Sequence, residues 1–511
     1  MTEDPSIILI EALQNPACYP HPVTAVRRVE THISWVLLTG DYAYKIKKPV
    51  AFGFLDFSSL AQRRHCCEEE LRLNRRLAPE LYLAVLPITG TPAAPRLGGV
   101  GEAIEYAVQM REFPQEAQLD RVLARGELGA ARIAALAETL AAFHSTAVVA
   151  KAGGHYGSAE AVWQPVAQNF AQIRPRLAVR DELDQLDALQ HWSETAFASL
   201  RGVFTQRQQT GHIRECHGDA HLGNIALLDG RPVLFDCIEF NPELRWIDVM
   251  SEIAFLTMDL HDRGRPDLAR RVLNDYLQYT GDYAGLRVLR FYQVYRALVR
   301  AKVACLRLAQ DGLSEDQRRA TQQQVGAYLR LAARFTAAVP TPLMITHGLS
   351  GSGKTTLSDG VLESQGAIRL RSDVERKRLF GLAADARGGS AVNDGLYSAE
   401  AGTRTYQHLA ELAETVLGAG FPVIIDAAFL KRGQREMFHQ LAERMHLPFV
   451  IFDCKAPSEQ LRGRIAERAT AGRDASEATI SVLEQQLEHG EPVSCDEALL
   501  IFTIQTGAAP Q

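Results

Sequence analysis

The stretch HGLSGSGKTT, residues 347–356, constrains the fold of this 511-residue chain more than any other. It sets Gly348, Gly353, Lys354 and Thr355 in the spacing GxxxxGK[ST], directly after the apolar run LMITH and directly before an amphipathic stretch. Glycines at these places let successive backbone N–H groups curl round a phosphate; the lysine reaches the outer phosphate oxygens, and the threonine hydroxyl can ligate magnesium. Gly348, Ser350, Gly351, Ser352, Gly353, Lys354, Thr355 and Thr356 are therefore the expected nucleotide-binding loop. Such a loop has to end a strand and begin a helix. The rest of the C-terminal segment agrees: LMITH, AIRLRS, PVIID, PFVIFDC and ALLIFTI read as strands with helical stretches between them. That alternation predicts a parallel, doubly wound α/β sheet.

A second phosphate-transfer pattern lies upstream. CHGDAHLGNI sets His217, Asp219 and Asn224 at H-x-D-x4-N, the spacing of a kinase catalytic loop, and VLFDCIEF adds Asp236 on the following strand. In such a loop Asp219 accepts from or orients the acceptor hydroxyl, while Asn224 and Asp236 hold magnesium on the ATP phosphates. A lysine that clamps ATP is required further upstream. GDYAYKIKKP supplies Lys45 on a strand, and the EEEL helix places Glu69 to pair with it; Lys47 and Glu70 are the alternatives. No GxGxxG precedes Lys45, so phosphate cover is expected from a loop containing Ser34 in THISWVLLTG.

Ser314 and Gln317 are spaced as a capping box at the start of a helix that Pro340-Thr341-Pro342 stops, which puts the main boundary there. The expected domains are residues 1–339, with a small lobe over about 25–113 and a large helical lobe over about 114–339, and residues 340–511. No run of about 18 apolar residues occurs, so no membrane span is expected. Glu3 and Asp4 stand where a signal peptide would be basic, and the eight cysteines include no CxxC. Both point to a cytoplasmic protein with reduced thiols.

From Thr341 onward there are 17 basic and 22 acidic side chains, so a dedicated nucleic-acid surface is not indicated. Residues 251–340 run the other way, with 14 basic and 9 acidic, and are expected to dock on the acidic C-terminal part. Within them VLRFYQVYRALVRAKVACLRL is apolar nearly all round a helix yet carries Arg296 and Arg300 one turn apart. A buried arginine needs a carboxylate or phosphate partner, which makes this pair a substrate-phosphate clamp, part of an internal salt bridge, or, should this face meet solvent, surface charge.

Asp373 in RLRSDVERKRLFG, Asp426 in PVIIDAAFLKRGQR and the arginines of LRGRIAERATAGRDASEA resemble the small-substrate P-loop kinases, which include polynucleotide 5'-kinases, gluconate kinases, adenylylsulfate kinases and zeta toxins. The resemblance implies that Asp373 accepts the substrate hydroxyl proton, Arg376 holds the acceptor, and Asp426 lies near magnesium. It also implies that Arg468 or Arg473, in a run that includes Arg464, closes over the phosphates as a lid. From about Thr31 to about Leu308 the chain resembles the aminoglycoside phosphotransferase-like kinases, although the locally basic segment does not suit a polycationic acceptor.

Joined in this order, and including THISWV, KKPVAFGFLDFS, RLNRRLAPELYL and YRALVRAKV, the halves resemble bacterial two-domain proteins in which an aminoglycoside phosphotransferase-like domain is fused to an AAA-type or zeta-like P-loop kinase. This implies an α+β protein-kinase-like domain followed by an α/β P-loop NTPase domain, with ATP and Mg2+ as cofactors. The implied function is tandem phosphate transfer to small hydroxyl-bearing molecules. Two other readings stand beside it. One domain senses nucleotide and regulates the other, or the P-loop half is a polynucleotide 5'-kinase or a zeta-toxin-like nucleotide-sugar kinase.

Overall fold

The computed structural model describes residues 4–52, 55–309, 312–382, 398–471, 479–497 and 500–506. Its contacts divide the chain into two units, Met1–Pro175 with Phe197–Asp259, and Arg176–Ala196 with Leu260–Gln511.

The first unit contains an antiparallel sheet of β1 (Arg27–Glu30), β2 (Ser34–Leu38), β3 (Tyr42–Lys47), β4 (Tyr82–Thr91), β5 (Ala94–Leu97) and β6 (Ala103–Arg111), in the order β1-β2-β3-β6-β4-β5. The two-residue repeat of a strand decides what β3 can do. Tyr44 and Ile46 fall on one face, in a core with Trp35, Leu37 and the N-terminal residues Leu9, Ile10 and Leu13. Lys45 and Lys47 fall on the other, towards helix α1 (Leu60–Asn74).

Helix α1 starts with a capping box formed by Ser59 and Gln62, and its buried positions, Arg63, Cys66, Cys67, Glu70, Leu73 and Asn74, recur every three or four residues. The helix Pro5–Ala12 and strand β1 were not among the predicted elements. β1 reads RRVE and is mostly exposed at a sheet edge, so it carries no hydrophobic alternation to recognise. Further on, β7 (Ile225–Leu228) and β8 (Arg231–Leu234) form a hairpin whose turn, Asp229-Gly230, has both residues at positive φ, and helix α2 (Val249–Asp262) follows.

The second unit contains α3 (Pro266–Thr280), α4 (Leu286–Leu308) and α5 (Glu315–Thr336), the last with the Ser314–Gln317 capping box formed. It continues with β9 (Leu343–His347), α6 (Lys354–Gln365), β10 (Ile368–Arg371), α7 (Ser372–Leu379), α8 (Ala399–Gly418) and β11 (Val423–Asp426). Then come α9 (Arg432–Arg444), β12 (Phe449–Lys455), α10 (Ser458–Ala471), α11 (Ile480–His489) and β13 (Leu500–Gln505). Its sheet is wholly parallel, in the order β10-β11-β9-β12-β13. β11 is buried along its whole length, as a strand covered on both faces must be, and reads as an apolar run, Val423 to Ile425, closed by Asp426.

Helix α3 lies against this sheet through one polar face. Arg270 donates to the last carbonyls of α6, Glu363 O at 2.6 Å and Ser364 O at 2.7 Å, and Arg271 pairs with Glu363 and Asp359. Asn274 donates from Nδ2 to Ala367 O (3.3 Å) and accepts at Oδ1 from Arg369 N (2.7 Å). β10 is an edge strand, and Asn274 gives its free side the donor and acceptor that another strand would supply. In α4, Arg290 donates to Gly420 O.

Asn274→Ala in the full chain would strip β10 of both bonds. Amide hydrogen exchange over residues 367–371 is expected to accelerate roughly tenfold, the equivalent of about one hydrogen bond. Unchanged exchange there would show that the side chain does not hold the edge.

Candidate active sites

In the first unit two lysines of β3 reach one carboxylate of α1. Lys45 Nζ lies 2.8 Å from Glu70 Oε1 and also meets Asp236; Lys47 Nζ lies 2.7 Å from Glu70 Oε2 and also meets Glu239. Lys47 and Glu70 are completely buried. Burial alone would raise the Glu70 carboxyl, but the two lysines hold it well below the usual carboxylate range. Burial would likewise discharge Lys45, yet Asp236, Glu70 and Glu239 push its pKa up. Both lysines and Glu70 therefore persist as ions, while burial pushes the Glu239 carboxyl up. The carboxylate that Lys45 meets is Glu70 and not the expected Glu69, which turns instead to Arg72 (2.8 Å) and Arg245 (3.3 Å). Helix geometry explains the correction, because Glu70 continues the stripe of Cys66, Cys67 and Leu73 while Glu69 lies beside it.

The loop 217–224 comes to the same place. Asn224 Nδ2 donates to Asp219 Oδ2 (2.8 Å) and Asp219 O (3.1 Å), which orients the aspartate and leaves Asn224 Oδ1 as an oxygen ligand. Asp236 takes φ +64°, an uncommon value for a residue with a side chain. Its N–H donates to Tyr82 Oη at 3.0 Å. Gly218 has φ +88°, and a side chain there would press on Leu244 O, so glycine is required. His217 is buried and its pKa is lowered by that burial; its Nε2 lies 2.9 Å from Phe235 O and its Nδ1 accepts from Asp219 N.

Glu252 on α2, which the sequence reading passed over, holds this loop by its backbone. Its Oε1 accepts from His217 N (2.7 Å) and Gly218 N (2.8 Å), and its Oε2 lies 2.8 Å from His144 Nε2. Burial would raise this carboxyl, but His144, the His217 charge and the Gly218 N–H bring it down to about 2.

In the second unit Gly348, Gly351 and Gly353 have φ of +141°, +83° and +86°. At Gly348 a Cβ would fall 2.4 Å from Cys454 O, so only glycine lets the loop pass that strand end. Lys354 Nζ donates to Gly348 O (3.0 Å) and Leu349 O (2.8 Å), across the loop. Thr355 Oγ1 donates to Asp426 Oδ2 (2.9 Å), and Arg371 Nε lies 3.9 Å from the same oxygen, as the β10–β11 register Arg371↔Asp426 dictates. Asp373 and Arg376 lie 3.6 Å apart on α7. Thr356 is exposed, and Ser350 N donates to Gln486 Oε1 at 2.8 Å.

Arg464 donates to Gly351 O and Thr506 O and so binds the loop backbone. Arg473 and the side chain of Arg468 lie outside the described residues. Ser34 opens β2 and is buried with its Oγ unpartnered, so it does not sit on the expected loop. Arg296 is buried with its guanidinium 5.4 Å from the Tyr295 ring, and Arg300 Nε lies 3.4 Å from Tyr328 Oη.

Both oxygen sets suit Mg2+, which prefers hard ligands: Asn224 Oδ1 with Asp236 in one unit, Thr355 Oγ1 with Asp426 in the other. Residues 58–292 match the family described as "Phosphotransferase enzyme family" and residues 343–493 that described as "AAA domain". A protein of Mycobacterium tuberculosis (strain ATCC 25618 / H37Rv), named "Uncharacterized protein Rv2004c", is 33% identical over 462 residues, which is 90% of either chain. The chain belongs to this two-domain family. Among solved structures it is similar to a choline/ethanolamine kinase family protein from Mesorhizobium loti (12% identity, 64% of this chain and 96% of that one, TM-score 0.40). It is also similar to a gluconokinase from Sinorhizobium meliloti (19% identity, 34% and 86%, TM-score 0.23). The fold is thus an aminoglycoside phosphotransferase-like kinase domain followed by a P-loop domain, families that imply phosphate transfer with ATP. No helix among the described residues is long and apolar enough to cross a membrane.

Glu252 titrates at about 2 in the folded chain and near ~4.3 when unfolded. Its contribution is therefore complete above about pH 4.5 and fades as pH falls towards 2. Glu252→Gln should flatten that part of an acid-unfolding profile followed by circular dichroism. An unaltered profile would show that the clamp carries no stability.

Proposed function

We propose that the chain is a tandem ATP-dependent phosphotransferase with a Mg-ATP site in each unit, acting on small hydroxyl-bearing molecules in the cytoplasm. One observation carries the reading: each unit independently assembles a buried or loop-bound lysine with its own pair of magnesium-competent oxygen groups. In the first unit Lys45, steadied by Glu70, holds nucleotide phosphate, Asn224 and Asp236 hold the metal, and Asp219 accepts the acceptor hydroxyl proton. In the second, the loop amides and Lys354 hold phosphate, Thr355 and Asp426 the metal, and Asp373 the acceptor proton, with Arg376 beside it. Bound Mg2+ would neutralise charge on the transferring phosphate. Arg296 and Arg300 are kept as candidate acceptor-binding cations. Retention of Asp219 favours catalysis over nucleotide sensing in the first unit, since sensing needs no base, and the acidic C-terminal part favours a small acceptor over a nucleic acid.

Isothermal titration of the intact chain with a nonhydrolysable Mg-nucleotide should show two sites, falling to one in Lys354→Ala; unchanged stoichiometry would refute independent sites. Asp219→Asn should slow product formation from a metabolite extract, followed by mass spectrometry, by ~10²-fold or more with nucleotide affinity kept, whereas Asp236→Asn should weaken nucleotide binding itself. If both variants lose only stability, the first unit is not a kinase.

A further inference from the structure

A cavity of about 360 Å3 lies at the carboxyl-terminal ends of β9 and β12, within the range of about 300–1,000 Å3 usual for small-molecule sites. Its wall takes in the rear of the phosphate loop, the end of β12, helix α11 and residues 490–492. Its wall includes Gly348, Leu349 and Ser352 of the phosphate loop but none of Lys354, Thr355, Asp373, Arg376 and Asp426, so the cavity adjoins the metal-carboxylate crevice without containing its ligands.

Two lining residues have polar atoms that the fold leaves unpartnered. These are Oγ of Ser352, a residue 1% exposed, and Nε2 of His347. The other ring nitrogen of His347 lies 2.7 Å from Asp453 Oδ1, and Lys455 Nζ lies 3.0 Å from Asp453 Oδ2. An ionised carboxylate can only accept, so Nδ1 carries the proton directed at Asp453, and Nε2 is the ring nitrogen left open to a ligand. A buried ring nitrogen and a buried hydroxyl without partners cost free energy that a ligand or water would return.

The remaining wall is largely apolar, with Leu349, Leu430, Leu461 and Leu487. Charge offers nothing to an ion, because Asp453 is compensated by Lys455 and Glu491 lies 3.3 Å from Lys431. The rim is fixed in advance. Arg435, itself 1% exposed, donates to Glu491 O (3.1 Å) and Pro492 O (3.2 Å) and pairs with Glu497, while Gln486 is held by Ser350 N.

We infer that this cavity binds an uncharged, hydroxyl-bearing small molecule of sugar or nucleoside size, with a ligand hydroxyl hydrogen-bonded to His347 Nε2 and a second polar group meeting Ser352. The leucines would cover its C–H or ring faces. This site does not depend on phosphate transfer by either unit.

Saturation-transfer NMR on the full chain, with methyl β-D-glucopyranoside and adenosine as probes, tests it. One probe at least is expected to receive magnetisation, and which one tells a sugar from a nucleoside source. The signal should persist with saturating Mg-AMP-PNP. It should vanish in Leu487→Trp, which fills the cavity from a helix position 43% exposed and therefore tolerant of size. Affinity should fall roughly tenfold in His347→Phe, which keeps a ring but removes the ring nitrogen. Silence from both probes would leave the cavity to water and overturn the inference. Displacement by Mg-AMP-PNP, or a signal indifferent to both variants, would place the binding elsewhere and overturn it equally.

Discussion

A carboxylate shut away from water between two lysines is the constraint on which the first unit's chemistry rests. Glu70 has no solvent to fall back on, so each of its oxygens needs its lysine, and each lysine needs Glu70 together with a second acid, Asp236 or Glu239. Breaking one member of such a set leaves an uncompensated buried charge, at about 3–5 kcal/mol, which makes the arrangement nearly all-or-none. The benefit is positional. Strand β3, helix α1 and the segment 236–239 meet at two ammonium groups two residues apart, and the nitrogen expected to face phosphate is thereby held between Glu70 and Asp236.

The loop 217–224, the proposed catalytic loop, is placed by a different means. Its chemistry lies in side chains, but its position depends on Glu252 gripping two successive backbone N–H groups and on Gly218 occupying a conformation that other residues resist. The second unit repeats the principle at a strand edge, where one asparagine side chain stands in for a neighbouring strand.

What was legible in the sequence was local. The glycine loop, H-x-D-x4-N and the strand–helix alternation each specify geometry over a few residues, and all led to the fold that the chain adopts. Glu70 was legible in principle, since it continues the buried stripe of Arg63, Cys66, Cys67 and Leu73, but charge alone does not separate it from Glu69. Glu252 and Asn274 had no signal at all. Each is one polar residue among several on its helix, 34 to 35 and 93 to 95 residues from the backbone it serves, and no periodicity spans such distances. Nor do family and packing boundaries coincide: the phosphotransferase match runs to residue 292, whereas contacts assign everything from Leu260 onward to the unit that holds the parallel sheet.

The asparagine that closes the edge of β10 also has a place in time. Translation delivers α3 more than ninety residues ahead of the strand it covers, so the helix is already made when that strand leaves the ribosome. An open parallel edge is a template for pairing with other chains. In this protein the guard is synthesised before the edge it guards, and the interval in which nascent sheets on neighbouring ribosomes could join is correspondingly short.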